Sequence, residues 1–402
     1  MKFTIVVHVS LFTTTHMKTI NTLPLLLALW ALVACNQQMP IDPVSEKETP
    51  SVWKAPATMT GNPEQDLQTL AAFTDLPYDP EAGKNAAFVI LPANSTDGLA
   101  AAVQAAGTNG IVLVKAGNHY ETGSVVISQR INIIGEPGAV IHSGVQNLLS
   151  VPYLQPAIHL LNASKSVVAG LEFRPTAGPQ DGGTVFLVEN SDQVHIALNQ
   201  MTGFSFGVVL EQSDKNWITG NQIVTAIRWQ TLGIADFVGV LVINGKNTKV
   251  RYNDLSSAFL GAFTCDGPGL FKDNFMHDNF LGLILCKVQP NTYTLPGGQQ
   301  VGAQFAGNHW IVAKNHTYDN LNVGFLVVDG ANNNTLVNNH GSGNGDYDIE
   351  LVGDSYRFGF LTPFSFDNTV NTAGKNLKIK DCGTNNTING GVLVDIVADP
   401  CF

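Results

Sequence analysis

The chain has 402 residues, 44% hydrophobic and 13% charged, enough apolar material for one large core with few charges to spare. A net charge of -11, with no run rich in lysine or arginine, argues against nucleic acid as a partner, since that needs a basic face. Thirty-nine glycines suit a chain that turns often.

From the beginning, Met17-Lys18 and the apolar run 23–34 have the basic start and apolar middle of a secretory signal, too short to span a membrane. Met17 is the expected start, inside a signal region 1–35. The run ends Leu32-Val33-Ala34-Cys35, which resembles the bacterial lipobox. That resemblance implies cleavage before Cys35, a lipid on its sulfur and an exported chain whose only membrane contact is a lipid anchor at the cell envelope. An ordinary signal peptide with a chance cysteine is the alternative. Residues 36–56 carry Pro, Ser, Glu and Gln with little apolar content, as a flexible tether would.

The stretch 57–107 reads as an N-terminal cap region with two candidate helices, 66–76 and 96–106. The second has Ser95 or Thr96 as N-cap, an apolar face of Leu99, Ala102, Val103 and Ala106, and Gly107 to end it. Strands follow at Ile111 to Tyr120, Val125 to Ile127 and Ile131 to Ile141, each closed by a polar, charged or glycine turn.

Then one unit recurs: an apolar segment ends in asparagine, a polar corner follows, and a glycine opens the next apolar segment. Asn199, Asn221, Asn253, Asn274, Asn315 and Asn339 mark it, and intervals such as 22 and 21 residues suit a solenoid of short strands. Coils stacked about 4.8 Å apart put equal phases in columns. The asparagines then form one column in which each amide satisfies the next. Ile196, Ile218, Val250, Phe271, Val312 and Leu336, three residues earlier, form an apolar core column. The intervals of 32 and 41 residues place loop insertions near 225–236 and 287–307.

The alanine-rich helix, the strand running into Ala116-Gly117-Asn118-His119-Tyr120, the string Ile131-Asn132-Ile133-Ile134-Gly135-Glu136 and the asparagine-led coils together resemble the pectin-lyase-like parallel β-helix proteins, in particular their NosD-like branch. The resemblance implies an all-β, single-stranded right-handed parallel β-helix over 108–398, with a capping helix before it and a short tail at 399–402. It also implies a role in binding or processing polysaccharide, by lyase, epimerase or hydrolase chemistry in any enzyme. The polygalacturonase-like motifs are absent, and Met276-His277-Asp278-Asn279 only echoes the Asp-Pro-His-Asp string of alginate epimerase-like members.

Alternation sends Lys249, Arg251, Leu270 and Lys272 outward on adjacent coils. Arg251 and Lys272 become neighbours able to hold a uronate carboxylate, and a lysine crowded by arginine is a candidate general base. A solvated strand face is the plainer reading. The strand after each glycine is apolar on both faces, around Val209, Leu241, Phe263, Ile284 and Leu326, so its outer stripe needs a cover: the 287–307 insertion, the tail or a partner protein. Beyond that stripe Asp266, Lys287 and Asp329 form a polar column suited to substrate binding or corner hydrogen bonds.

His316 and His340 should lie one coil apart, and two imidazoles in a column suit copper or zinc, the metal role associated with NosD-like relatives. Asp346, Asp348 and Glu350 alternate along one strand and suit calcium, or simply a polar outer face. Cys265 and Cys286 share a phase on adjacent coils, as stacked thiols or a strained bridge, while Cys382 and Cys401 make the more natural disulfide. A non-catalytic envelope scaffold remains the alternative to a polysaccharide protein.

Overall fold

The structure, a computed structural model, describes residues 58–74, 87–146, 155–176, 182–225, 238–264, 267–286, 293–294, 300–301, 308–328, 330–352, 365–396 and 401. Three parallel sheets of 12, 11 and 9 strands are described, and each central winding contributes a strand to each sheet in turn. This is a parallel β-helix, with the right-handed winding that parallel crossovers favour. Its interior is the column read from the spacing: Val168, Ile196, Ile218, Val250, Phe271, Val312 and Leu336 are register partners, all at most 1% exposed.

The asparagine column is present. Its side-chain amides donate in sequence from Asn199 to Asn221 (3.2 Å), to Asn253 (3.0 Å), to Asn274 (2.9 Å), to Asn315 (2.8 Å) and to Asn339 (3.1 Å). From Asn199 onward the second amide hydrogen goes to a strand carbonyl of the preceding winding, as from Asn274 to Val250. Each Oδ1 from Asn221 on also accepts the backbone N–H of the asparagine before it. The interior members thus bond both hydrogens and both lone pairs, which makes a buried amide tolerable. The residue ahead of each bends the chain with positive φ, as at Leu198 (54°), Tyr252 (56°) and Asp273 (55°). Two further ladders, Asn279–Asn320–Asn344 and Asn334–Asn368–Asn386, hold other corners.

The ladder crosses both long intervals without a break. The insertion expected at 225–236 lies almost wholly outside the described residues, as does most of 287–307, where Tyr293–Thr294 pairs antiparallel with Gln300–Val301.

Two helices are described. Helix α1, Pro63–Thr74, is anchored by Asp66, which accepts from the Thr60 N–H (2.7 Å), the Thr60 hydroxyl (2.8 Å) and the Gly61 N–H (2.8 Å). It buries Leu70 against Ile134, Val167, Ala169 and Ala197, so it lies along the outer face of the 12-stranded sheet. Helix α2, Leu99–Ala106, buries the four expected residues over the first winding and ends at Gly107. Its start differs from expectation. Gly98 is the N-cap residue, and the Leu99 N–H donates to Glu121 Oε1 at 2.9 Å; Ser95 bonds His119 instead. Burial raises the Glu121 pKa, with the Leu99 N–H opposing the rise. The strand Phe88–Leu91 precedes α2 and pairs with Gly110–Val114, so the stack begins at Phe88 rather than at 108.

The apolar stripe on the 11-stranded sheet is buried at Val209 (2% exposed), Leu241 (3%), Phe263 (8%) and Leu326 (2%) and half-buried at Ile284, and Val394 packs on it. Cys382 and Cys401 form the expected disulfide, Cα atoms 5.5 Å apart, tying down the last winding. Cys286 is also disulfide-bonded, while Cys265 lies outside the described residues.

Replacing Asn274 with Ala strips the acceptor from two donors of Asn253 and the donor from Val250 O. Unfolding in denaturant is expected to show a loss of about 3 kcal/mol. Gln200→Ala, at an exposed position, should stay within about 0.5 kcal/mol of wild type.

Candidate functional site

The expected cationic pair is in place. Arg251 and Lys272 are direct register partners on the outer face of the 12-stranded sheet, following Thr219 in the same column. Both side chains have local company. Arg251 Nη2 donates to the Tyr252 hydroxyl (3.2 Å) with its guanidinium 5.0 Å from that ring's centroid, and Lys272 Nζ is 3.7 Å from Asp273 Oδ2. Lys249 sits in the neighbouring column, its ammonium 5.5 Å over the Trp217 ring. Of the other residues singled out in the sequence, Asp266, Lys287, Asp329 and Cys35 lie outside the described residues.

Beyond the asparagine bend the chain enters the 9-stranded sheet, and there the first and third residues after each ladder asparagine face outward. One column is Gln222, Asp254, Phe275, His316, His340; its neighbour is Val224, Ser256, His277, Tyr318, Ser342. Phe275 stacks on His316 (centroids 4.7 Å, 5° from parallel), His316 on His340 (4.3 Å, 5°) and His277 on Tyr318 (4.6 Å, 3°). Rings that meet along the helix axis spend their faces on each other and turn their edges to solvent. The strip therefore displays imidazole nitrogens and a phenol oxygen, groups that hydrogen-bond.

His277 is its electrostatic centre. Nε2 lies 2.8 Å from Asp254 Oδ1 and Nδ1 2.7 Å from Asp278 Oδ2, and Gln222 donates to the other Asp254 oxygen at 3.3 Å. Ionised carboxylates only accept, so both bonds exist together only when both ring nitrogens carry hydrogen. Burial works to lower the His277 pKa, but the bonds to Asp254 and Asp278 and their charges outweigh it and raise the value above 6.5. His316 goes the other way, to about 4, through burial first and then His340 and Lys375. Burial, with Asp254, Asp278 and Asp319, pushes the Tyr318 hydroxyl up to about 12. The strip thus presents an imidazole drawn towards its charged form by two carboxylates, beside an imidazole and a phenol that are both uncharged at neutral pH.

The stacked His316 and His340 rings are nearly parallel, so their in-plane lone pairs run side by side rather than converging on one ion. Among the described residues no group of three or more His, Cys, Asp or Glu is gathered as a metal site. The carboxylates expected to suit calcium are bound by N–H donors: Asp346 by Asn322 (2.7 Å), and Asp348 by Asn344 (2.8 Å) and the Lys378 amide (2.8 Å). Glu350 stands in register with Lys380.

Asp254, Phe275, His277 and Tyr318 were not singled out as a site by the sequence reading. Their signal was present, since each occupies the first or third place after a ladder asparagine, where the sheet changes. They come together only where alternation is carried through the bend into the next sheet.

No family model matches the chain, and no curated protein matches it. Among solved structures, the Dettilon tailspike protein is similar at 13% identity and TM-score 0.49, covering 76% of this chain and 68% of that one. A surface adhesin of Streptococcus pneumoniae is similar at 11% and 0.45, covering 74% and 88%, and a periplasmic alginate epimerase at 13% and 0.37, covering 73% and 68%. The chain is a right-handed parallel β-helix protein by its own three parallel sheets, and these similarities assign it no activity.

A group whose folded pKa is raised contributes stability that is complete below its unfolded value and lost as pH rises through the folded one. The stability difference between wild type and His277→Gln should therefore shrink as pH rises above about 6.5. Imidazole NMR titration should show His277 changing charge above 6.5 and His316 remaining neutral down to about 4.

Proposed function

We propose that this chain binds a polysaccharide along the outer face of the 9-stranded sheet, from Asp254 across Phe275 and His277 to His316 and Tyr318. The observation that carries the reading is the Asp254–His277–Asp278 network beside stacked rings whose edges face outward. Carboxylates accept from sugar hydroxyls, and the phenol and imidazole edges serve as donors or acceptors at intervals set by the windings. Arg251 and Lys272 flank the strip across the asparagine bend and would hold an acidic group on the sugar.

The finer reading is processing of the bound glycan. His316, neutral at pH 7, and Tyr318, protonated, share one strand face two residues apart, roughly 6.6 Å by the strand rise. A proton acceptor and a donor so placed suit a lyase step on a uronate, in which His316 takes the C5 proton as the C4–O4 bond breaks and Tyr318 protonates the departing oxygen. The string Leu32-Val33-Ala34-Cys35 supports an exported, lipid-anchored setting for this work.

Glycan-array binding by the exported domain, followed by ultraviolet assay for unsaturated uronates, tests both levels. His277→Ala should weaken binding of any bound glycan by at least about tenfold. The double variant Arg251→Ala with Lys272→Ala should weaken acidic glycans only and reduce the salt dependence of their binding. A wild-type domain that retains no glycan, or a His277→Ala variant that binds as wild type does, would remove the proposal.

A further inference from the structure

The outer face of the 12-stranded sheet holds a second cluster, on windings just ahead of Arg251 and Lys272. His195 and Trp217 are register partners with ring centroids 4.3 Å apart and planes 12° from parallel, and Thr219 follows Trp217 two residues on, facing the same way. His195 is 2% exposed and Thr219 1%. Nδ1 of His195, Nε1 of Trp217 and Oγ1 of Thr219 are all buried without a hydrogen-bond partner. One such group costs about 1–3 kcal/mol. Three on two adjacent strands, with Asn216 Nδ2 and Thr248 Oγ1 also unbonded close by, call for something that bonds to them.

The surroundings indicate what that is. The next winding places Lys249 over Trp217 and Arg251 in register with Thr219, and Lys272 follows, so a chain of net charge -11 gathers three cations in one place. Helix α1 covers this face at Ile134, Val167, Ala169 and Ala197, the last on the same strand as His195, and the cluster starts at the edge of that cover. An indole N–H can only donate, and a carboxylate can only accept. Burial, with Lys249 adding to it, lowers the His195 pKa to about 3, so its ring is neutral and one nitrogen is an acceptor.

We infer that His195, Trp217 and Thr219 form a binding site for a hydroxylated carboxylate, a sugar acid in chemical class. Trp217 Nε1–H and the Thr219 hydroxyl donate to the carboxylate, His195 Nδ1 accepts from the ligand's hydroxyl, and Lys249 and Arg251 supply the attractive field. The site is on a different sheet from the polysaccharide strip and shares Arg251 with the cationic flank of that strip.

Calorimetric titration of the exported domain with glucuronate and with glucose tests this, since the two share a ring and differ in the carboxylate. Glucuronate should bind with one site per chain and glucose at least about tenfold more weakly. Trp217→Phe, which keeps a ring stacked on His195, and Thr219→Val, which keeps the shape, should each weaken glucuronate by about tenfold. Thr219→Val should not melt below wild type without ligand, because it removes a buried group that had no partner. His277→Ala should leave glucuronate affinity unchanged, which separates this site from the strip. A wild-type domain that binds neither sugar, or both alike, overturns the inference, as do variants that hold glucuronate as wild type does.

Discussion

A row of buried amides governs this molecule. An asparagine inside an apolar core is costly alone, yet in a column each one becomes the partner of the next, and the cost is met only while the windings stay in register. The amides from Asn199 to Asn339 do this in an unbroken series, and the positive-φ residue before each turns the chain from one sheet into the next. A shift of one residue in any winding would strand two amides and turn apolar side chains outward. The ladder is thus both a fastening and a ruler.

Everything on the outside follows from that ruler, because equal phases become neighbours whatever their sequence distance. The three faces are used differently. The 12-stranded sheet is buttressed by α1 over its early windings and becomes cationic beyond. The outer face of the 11-stranded sheet carries an apolar cluster that is largely buried. The 9-stranded sheet is left with titratable and aromatic edges, and there neighbouring groups are driven in opposite directions: His277 towards charge by two carboxylates, His316 towards neutrality by burial. Environments that part the proton affinities of adjacent groups are where acid and base roles are usually found.

Much of the architecture was legible because the repeat states it. The asparagine spacing gave the column, the residues three places earlier gave the core, and the phase of Lys249, Arg251 and Lys272 gave their outward placement. What escaped depends on distance. Glu121 caps α2 from a strand 22 residues further on, a relation that no local N-cap pattern contains. The Asn334–Asn368–Asn386 ladder has steps of 34 and 18 residues, too uneven to stand out as a repeat. Asp254 and His277 are 23 residues apart, and their meeting became visible only once the bend at Asn253 was carried through to the next sheet. The outer position of α1 is tertiary in origin: Leu70 finds Val167 and Ala197, and nothing in the helix names them.

The most direct test of the account is hydrogen exchange at the side-chain amides of Asn221, Asn253, Asn274 and Asn315, followed by NMR. Exchange of all four only through global unfolding, with one common free energy, is the predicted result. Exchange at the rate of a free amide while the fold persists would contradict it, because register would then be held by something other than the ladder.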